Sequence, residues 1–411
     1  MLNEAFHYGD DGDLFCDGTS LAAVASATDT PVYVYSANRI KHNIDRLKAA
    51  FESASIHYSA KANANLSLLR LIQAAGIGVD AVSAGEIFRA VRAGVDPQQI
   101  VFAGVGKTRE ELIYALSAGV GWFNVESRAE LAVLNALAGE YGQSAVVALR
   151  LNPGIHAKTH HHIATGHFGA KFGMPQDEIA AILKQRENYP HVKITGIHIH
   201  IGSQLGDVQE TLDAVRAALA LAEPYPDVRT LNIGGGFPVR YTEGDDCPAP
   251  EAFAGVIKPL IDGWHLMIEP GRSIAADAGL MVVSVLYVKE QGGQRFVITD
   301  GSMTDLLRPA LYDAVHPVVP LQQQTGELSD SIVVGPVCES ADVLNRGAPL
   351  PDLKPGDRLA VLGTGAYGLV MASNYNMRTR SPEVLVEGET WRVIRRRETW
   401  DDLLRLEEDH A

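Results

Sequence analysis

The chain has 411 residues, 46% of them apolar and 21% charged, which is typical of a soluble globular enzyme. Its 35 basic and 50 acidic residues give a formal net charge of −15, so we expect neither nucleic acid nor an anionic membrane as a partner. We expect no signal peptide, no membrane span and, with cysteines only at Cys16, Cys247 and Cys338, no disulfide framework. These features indicate a cytoplasmic protein, and they are compatible with a small anionic substrate bound by a few arginines.

The pattern of segments along the chain predicts two domains. Residues 1–30 contain strand-like pieces that we expect to join a β-rich domain, and residues 272–411 are β-rich with Gly and Pro turns. Between them, β-type and helical segments alternate, which predicts a parallel (β/α)8 barrel, with an open doubly wound sheet as the alternative. The predicted strands are 56–60, 79–83, 100–104, 122–127, 146–152, 194–202, 230–236 and 265–271. The predicted helices are 66–75, 84–93, 109–117, 128–141, 176–186 and 208–222, with Ser83 and Thr108 as N-caps.

Polar residues stand at the C-terminal ends of the predicted barrel strands, where barrel enzymes build their active sites. Burying such groups without partners would cost several kcal/mol each, so they indicate a functional site rather than a core. They are Lys61, Asp80, Ser83, Arg150, His200, Ser203, Glu269 and Arg272, together with the glycines Gly104 and Gly234–Gly236.

Two glycine-containing loops follow the last two predicted strands. NIGGGF, residues 232–237, leaves backbone N–H groups that an anion can approach closely, although a tight turn explains this stretch equally well. The next strand ends in EPGRS, which supplies Gly271 and Arg272. Two such loops on neighbouring late strands match the phosphate site common in barrels.

The motif HIHIGSQ places His198 and His200 on one side of a strand. An H-x-H pair can chelate zinc, and a hydrogen-bonded core histidine is the other interpretation. The loop THHHIATGHFG adds His160–His162 and His167, but without the fixed spacing of a helix. A metal-dependent barrel hydrolase is therefore a remote alternative.

Lys61, in YSAKAN, distinguishes between these possibilities. A protonated lysine is a poor metal ligand, whereas a lysine at a strand end is suited to Schiff-base chemistry. A phosphate loop together with such a lysine suggests pyridoxal 5'-phosphate, and Glu269 lies next to that loop in the sequence, as an acid for the ring nitrogen.

The β-rich domain contains further candidates. Arg308 and Tyr312, in DGSMTDLLRPALY, are four residues apart and share a face if the segment is helical. Tyr367, in GTGAYG, lies in a glycine-rich loop that could also reach a phosphate. Cys338 follows a strand end in GPVCES, and taken alone it is most simply a small apolar residue.

Taken in order, YSAKAN, HIHIGSQ, NIGGGF, EPGRS, DGSMTDLLRPALY, GPVCES, GAYG and ASNYNMR closely resemble the motifs of the diaminopimelate decarboxylase family, from about residue 25 to residue 400. This family belongs to the alanine-racemase-like, pyridoxal-phosphate-dependent group IV decarboxylases. The resemblance implies a cofactor-binding (β/α)8 barrel and a C-terminal β-barrel-like domain that takes in the N-terminal segment. The expected bounds are 1–30, 31–271 and 272–411. It also implies a homodimer with active sites at its interface, and the decarboxylation of meso-2,6-diaminopimelate to L-lysine, the last step of lysine synthesis.

The resemblance implies roles at the cofactor for the matching residues. Lys61 would bind pyridoxal phosphate as a Schiff base, His200 would stack on the ring with Asp80 in support, and Glu269 would pair with the pyridinium nitrogen. The other residues implied at the cofactor are Ser203, Gly234, Gly235, Gly236, Gly271, Arg272 and Tyr367.

It likewise implies roles at the substrate. The far carboxylate would be bound by Arg272, Arg308 and Tyr312, with Tyr367 nearby, and the far ammonium group by Glu339. Cys338 would be the proton donor at Cα, contributed together with Glu339 by the partner subunit. No metal is expected.

One loop departs from the family pattern. His161 and His162 stand where the family has Pro-Tyr, near the expected mouth of the active site. The substrate could therefore be another diamino acid, such as D-lysine, D-ornithine or carboxynorspermidine.

Overall fold

The structure, a computed structural model, describes residues 2–155, 170–245, 247–324 and 326–407. The chain forms two compact units. The sheet unit comprises Met1–His42, Arg240–Asp245 and Ile274–Ala411, and the barrel unit comprises Asn43–Val239 and Asp246–Ser273. Within the described ranges, every helix is too short or too polar to cross a membrane.

The N-terminal residues belong to the sheet unit, as predicted. The strands β1 (Phe6–Tyr8), β2 (Leu14–Cys16) and β3 (Thr19–Ser20) form a small antiparallel sheet, which the helix α1 (Leu21–Thr28) and the strand β4 (Val32–Ser36) follow. Apolar side chains from these elements are buried in one core with strands from the end of the chain. That shared core holds the N-terminal segment in place, because apolar surface removed from water stabilises by about 25 cal/mol per Å².

Residues 31–42 are placed differently from the sequence expectation. The expected barrel domain began at residue 31, but the structure groups these residues with the sheet unit. The reason is the pairing of Val32–Ser36, which runs antiparallel to Gly279–Gln291 and parallel to Glu383–Glu387. Both partners are more than 200 residues away in the sequence, so no local pattern announces the pairing.

The barrel unit contains a closed ring of eight parallel strands, which confirms the predicted (β/α)8 barrel. The ring closes where the last strand pairs with the first, Met267 against Ser55 and Ile268 against Ile56. The strands are β5 (Ser55–Ser59), β6 (Gly78–Ala81), β7 (Ile100–Phe102), β8 (Trp122–Val125), β9 (Ala145–Leu151), β10 (Val192–Ile199), β11 (Thr230–Asn232) and β12 (His265–Ile268).

Helices precede and separate these strands, and the six predicted helices are all present. Ser83 accepts a hydrogen bond from the Glu86 N–H, and Thr108 forms a capping box with Glu111, so both predicted N-caps are confirmed. Three further helices, Ala37–Ala50, Pro250–Ile257 and Arg272–Ala275, were not predicted. The helices are α2 (Ala37–Ala50), α3 (Leu66–Ala74), α4 (Ala84–Ala93), α5 (Arg109–Ala118), α6 (Arg128–Glu140), α7 (Gln176–Lys184), α8 (Val208–Ala222), α9 (Pro250–Ile257) and α10 (Arg272–Ala275).

The rest of the sheet unit is built on a mixed nine-stranded sheet in which β4 is a central strand. Its other strands are β13 (Gly279–Gln291), β14 (Gln294–Thr299), β15 (Val318–Pro320), β16 (Ser329–Val334), β17 (Val343–Leu350), β18 (Arg358–Leu362), β19 (Glu383–Glu387) and β20 (Thr390–Arg395). The short helix α11 (Arg308–Tyr312) lies between β14 and β15 in the chain, and α12 (Trp400–Leu404) follows β20. Arg308 and Tyr312 therefore lie on one helical segment, which was the condition for their sharing a face.

Candidate active site

Lys61 lies on a single 3-10 turn, Ala60–Ala62, that directly follows β5. Its Nζ donates a hydrogen bond to Asp80 Oδ2 at 3.1 Å, and 39% of its side chain remains exposed. Asp80 is on the neighbouring strand β6, is completely buried, and also accepts a hydrogen bond from Ser59 Oγ at 2.5 Å. The lysine thus projects from the end of one barrel strand and is held by an acid from the next.

Glu269, immediately after β12, is a carboxylate buried to 95% with partners from three other strands. Asn124 Nδ2 on β8 and Asn232 Nδ2 on β11 both donate to its Oε1, at 2.7 and 2.6 Å. His198 Nε2 on β10 lies 3.5 Å from its Oε2. Burial alone would raise the pKa of Glu269, but His198, Lys61 and the Asn232 amide outweigh it and hold that pKa below its usual range. Glu269 is therefore a persistent anion inside the barrel.

The pKa of Asp80 is shifted in the opposite direction to that of Glu269. Burial raises the pKa of Asp80, the charge of Glu269 raises it further, and Lys61 and Ser59 only partly compensate. Two acids in the same barrel consequently have separated proton affinities: Glu269 stays ionised, whereas Asp80 takes up a proton more readily. Such a pair is typical of sites that hold and move protons.

His200 follows β10 and is a neutral imidazole. Burial lowers its pKa well below the usual value, and Arg150, Lys61 and His198 lower it further. The Gly235 N–H donates to His200 Nδ1 at 3.3 Å, so the ring proton is on Nε2. An uncharged aromatic ring in this position is suited to packing against a flat cofactor.

The glycines after β11 and β12 are required by close packing. Gly234 and Gly236 have φ of 67° and 90°, which side chains rarely adopt, and a Cβ on Gly234 would lie 2.5 Å from His200 Nδ1. A Cβ on Gly271 would lie 2.8 Å from Ser59 Cβ. The N–H groups of Gly234 and Gly235 donate to Asn232 Oδ1 and His200 Nδ1, so the requirement visible here is steric, and a phosphate-binding role for this loop stays a prediction.

Ser203 and Arg272 are brought together beside these loops. Arg272 is buried, starts α10, and its Nε donates to Ser203 Oγ at 3.1 Å. A serine hydroxyl and a guanidinium in contact can both donate hydrogen bonds to one oxygen of an anion.

Sequence reasoning missed several residues that hold this site. Asn124, Asn232 and Ser59 were not singled out, although an asparagine two residues before three glycines and a polar residue inside β8 were available signals. His198 was considered as a metal ligand or a core histidine, and it is a buried histidine whose Nε2 lies 3.5 Å from Glu269 Oε2. Among the described residues, no group of three or more His, Cys, Asp or Glu side chains could hold a metal ion. His160–His162 and His167 lie outside the described residues.

The remaining predicted residues lie in the sheet unit. Arg308 is buried and Tyr312 half-buried on α11, whereas Cys338 and Glu339 are exposed. Tyr367 is half-buried and has a φ of 56°, an unusual backbone conformation for a residue other than glycine.

Two side chains not noted in the sequence hold the segment that carries Cys338. The Cys338 N–H donates to Asn376 Oδ1 at 2.9 Å. The Asp342 carboxylate accepts from the N–H groups of Val337 and Met303, at 2.7 and 2.6 Å. These bonds tie the Cys338 segment to the one that leads into α11.

Comparison with known proteins defines first a class and then a family. Residues 37–276 match the family model for the pyridoxal-binding domain of pyridoxal-dependent decarboxylases. The barrel is therefore that of a pyridoxal-dependent decarboxylase. The diaminopimelate decarboxylase of Aquifex aeolicus is 41% identical over 397 residues, which cover 95% of this chain and 94% of that protein. The chain belongs to the diaminopimelate decarboxylase family, whose members are carboxy-lyases.

Solved structures agree with this assignment. The match to diaminopimelate decarboxylase from Helicobacter pylori, solved in complex with L-lysine, has a TM-score of 0.90 at 39% identity. The aligned region covers 95% of this chain and 100% of that protein. The match to the M. jannaschii enzyme in complex with L-lysine has a TM-score of 0.93 at 35% identity and covers 99% of each of the two chains. Membership of this family sets aside the metal-dependent hydrolase.

Replacing Gly235 tests the packing of the loop after β11. A Cβ there would collide with the backbone carbonyl oxygen of Glu269, so we expect Gly235→Ala to lower the unfolding temperature and to weaken cofactor retention. Gly85→Ala is the matched control, since its Cβ would meet only Ser83 Oγ at 3.7 Å and alanine favours the helix by about 0.5–1 kcal/mol. Thermal unfolding and the cofactor content of both purified variants check this. Equal behaviour of the two variants would contradict the packing requirement.

Glu86 on α4 predicts a pH dependence of stability. Burial, with Asp80 adding to it, raises the pKa of Glu86 from 4.5 to about 7 although its carboxylate accepts from the Val82 N–H at 2.8 Å. The folded state holds the Glu86 proton more tightly than the unfolded state does. Protonation of Glu86 therefore makes its full contribution to the unfolding free energy below pH 4.5, and this contribution is lost as the pH rises through about 7. We expect Glu86→Gln to flatten the fall in unfolding free energy over that interval, as measured by urea denaturation.

The exposed Glu110 provides the control for this prediction. Glu110→Gln removes the same charge from the first turn of α5 and should leave the pH dependence of the wild-type protein unchanged. An unaltered slope in Glu86→Gln would show that Glu86 does not bind the proton.

Proposed function

We propose that this chain decarboxylates meso-2,6-diaminopimelate to L-lysine and CO2, the last step of lysine synthesis, with pyridoxal 5'-phosphate as cofactor and with the residues assigned below. The observation that carries the proposal is the buried anion of Glu269, held by two amides and His198, in the same strand-end site as Lys61 and Asp80. Because the reaction is biosynthetic, we expect the chain to act in the cytoplasm.

The barrel residues fit the cofactor. A carboxylate buried as deeply as Glu269 favours a cationic partner, and a protonated pyridine nitrogen would provide one. The glycines after β11 and β12 let both loops pack closely against neighbouring residues, beside Ser203 and Arg272. When bound, pyridoxal phosphate supplies a ring that accepts the electron pair left on Cα as CO2 departs.

Each barrel residue then has a defined task. Glu269 keeps the ring nitrogen protonated because its own pKa is lowered. Asp80 Oδ2, 3.1 Å from Lys61 Nζ, can accept the ammonium proton, since burial raises the pKa of Asp80, and the neutral amine of Lys61 would then hold the cofactor. His200, uncharged, covers one face of the ring without adding a competing positive charge. The residues assigned to the phosphate are Ser203, Gly234, Gly235, Gly236, Gly271, Arg272 and Tyr367.

The substrate residues suit a molecule with an amino-acid group at each end. Arg308 and Tyr312, with Arg272 and Tyr367, bind the far carboxylate, because a guanidinium binds a carboxylate through two parallel hydrogen bonds. Glu339 binds the far ammonium group. D-lysine, D-ornithine and carboxynorspermidine are the alternative substrates, and all three lack the second carboxylate that would use Arg308.

Cys338 is the proposed proton donor to Cα after CO2 has left. Its exposure, and that of Glu339, suit residues that complete the active site of a second subunit in a homodimer. In this arrangement each active site combines Lys61 of one chain with Cys338 of the other.

A CO2-release assay tests the substrate assignment. We expect meso-2,6-diaminopimelate to be decarboxylated with a kcat/KM at least about a hundredfold above that for D-lysine, L-lysine or ornithine, since a missing hydrogen-bonded group is strongly discriminated against. Lys61→Ala is the control and should lose both turnover and the absorbance of the bound cofactor. Comparable release from D-lysine would refute the assignment, and turnover by Lys61→Ala would refute the role of the lysine.

Replacement of Cys338 tests the proton donor and the dimer together. We expect Cys338→Ala to lower kcat by about a hundredfold or more, the usual contribution of a general acid, while the cofactor stays bound. Refolding Cys338→Ala together with Lys61→Ala should restore up to about a quarter of wild-type activity, since half of random pairs are mixed and each has one intact site. If both residues act within one chain, the mixture stays inactive.

A further inference from the structure

Arg308 is enclosed by two aromatic side chains of the same unit. Its Nη1 lies 2.7 Å from His316 Nε2, and its Cζ lies 4.8 Å from the centre of the Tyr241 ring. The rings of Tyr241 and His316 also touch, edge to face, with centroids 5.3 Å apart at 75°. All three side chains are buried, so each one restricts the other two.

The hydrogen bonds of His316 define its tautomer. A guanidinium only donates, so Nε2 must accept from Arg308, and Nδ1 carries the proton and donates to the Leu362 carbonyl oxygen at 2.9 Å. The His316 carbonyl oxygen in turn accepts from Asn345 Nδ2 at 2.7 Å. His316 is thereby hydrogen-bonded to β18 and β17, so these two strands determine where Nε2 lies as an acceptor for Arg308.

Both contacts orient the guanidinium without cancelling its charge. A neutral imidazole accepts a hydrogen bond and adds no charge of its own, and the face of the Tyr241 ring attracts the cation through its quadrupole. The two contacts together define where the guanidinium lies and how its plane is oriented.

We infer that His316 and Tyr241 are positioning residues that determine selectivity for a ligand with a far carboxylate, by holding the Arg308 guanidinium in one orientation. The inference rests on the proposed role of Arg308 in binding that carboxylate. Neither His316 nor Tyr241 needs to touch the substrate. The orientation of Arg308 acts on the binding of one end of the ligand. It therefore affects KM and ligand selectivity and leaves the chemistry at the other end of the ligand unchanged.

Two substitutions at His316 separate this role from a structural one. In His316→Asn the amide can still donate to Leu362 but does not reach Arg308, whereas in His316→Gln the side-chain oxygen can take the place of Nε2. The ligands are L-lysine, which retains one amino-acid group, and 1,5-diaminopentane, which differs from it only by the missing carboxylate. Their affinities for the cofactor-loaded enzyme are measured by calorimetric titration.

The expected result is a selective loss. His316→Asn weakens L-lysine binding about tenfold, the effect of losing one hydrogen bond to a charged group, and changes 1,5-diaminopentane binding by less than about twofold. KM for meso-2,6-diaminopimelate rises by a similar factor with little change in kcat. His316→Gln restores most of the selectivity. Equal weakening of both ligands, or the same behaviour in the Asn and Gln variants, overturns the inference.

A second pair of variants tests the ring face. Tyr241→Phe keeps the face under Arg308 and should retain the selectivity for L-lysine, whereas Tyr241→Leu removes it and should reduce that selectivity several-fold. Unfolding temperatures of all variants are measured alongside. A loss of selectivity in Tyr241→Phe equal to that in Tyr241→Leu would contradict a role for the ring face.

Arg308→Gln distinguishes failure of the inference from failure of the proposed function. If Arg308→Gln abolishes the selectivity while His316→Asn and Tyr241→Leu retain it, the arginine binds the carboxylate but needs no positioning. If Arg308→Gln itself keeps the selectivity, the proposed role of Arg308 is wrong, and the inference is overturned with it.

Discussion

The buried carboxylate of Glu269 is the constraint on which the barrel site depends. A charge in the interior is costly unless polar partners surround it. Here the amide donors come from β8 and β11, His198 of β10 lies 3.5 Å away, and Glu269 itself follows β12. Four strands must therefore be in the observed register before this carboxylate can remain ionised. The closed ring thus does more than bury apolar side chains: it assembles one anion whose partners are far apart in sequence.

The other charges of the barrel are organised around that anion. The negative charge of Glu269 raises the pKa of Asp80, and Lys61 opposes this shift. His200, in contrast, is kept neutral by burial and by the cations around it. Desolvation is the largest cause of the pKa shifts of Asp80 and His200, whereas the pKa of Glu269 is lowered against desolvation by His198, Lys61 and the Asn232 amide.

In the sheet unit, two residues of the proposed site are held by side chains from other segments. Arg308 is contacted by the His316 imidazole and by the face of the Tyr241 ring. The backbone N–H of Cys338 donates to Asn376, and the segment that carries Cys338 is held by Asp342. In both cases the positioning side chain comes from a different segment of the chain than the residue it holds.

The sequence by itself determined the elements and the identity of the chemistry. Period-two and period-3.6 apolar patterns predicted eight strands and six helices, and caps such as Ser83 and Thr108 act within four residues of themselves, so local sequence is sufficient for them. The ordered motifs around Lys61, Glu269 and Cys338 indicated the family. Only the tertiary structure decided that β4 joins the sheet unit, that Asn124, Asn232 and His198 surround Glu269, and that His316 and Tyr241 hold Arg308. These contacts, apart from the neighbouring pair Arg308 and His316, join residues tens to hundreds of positions apart, and their energies depend on burial and strand register, which a local pattern does not encode.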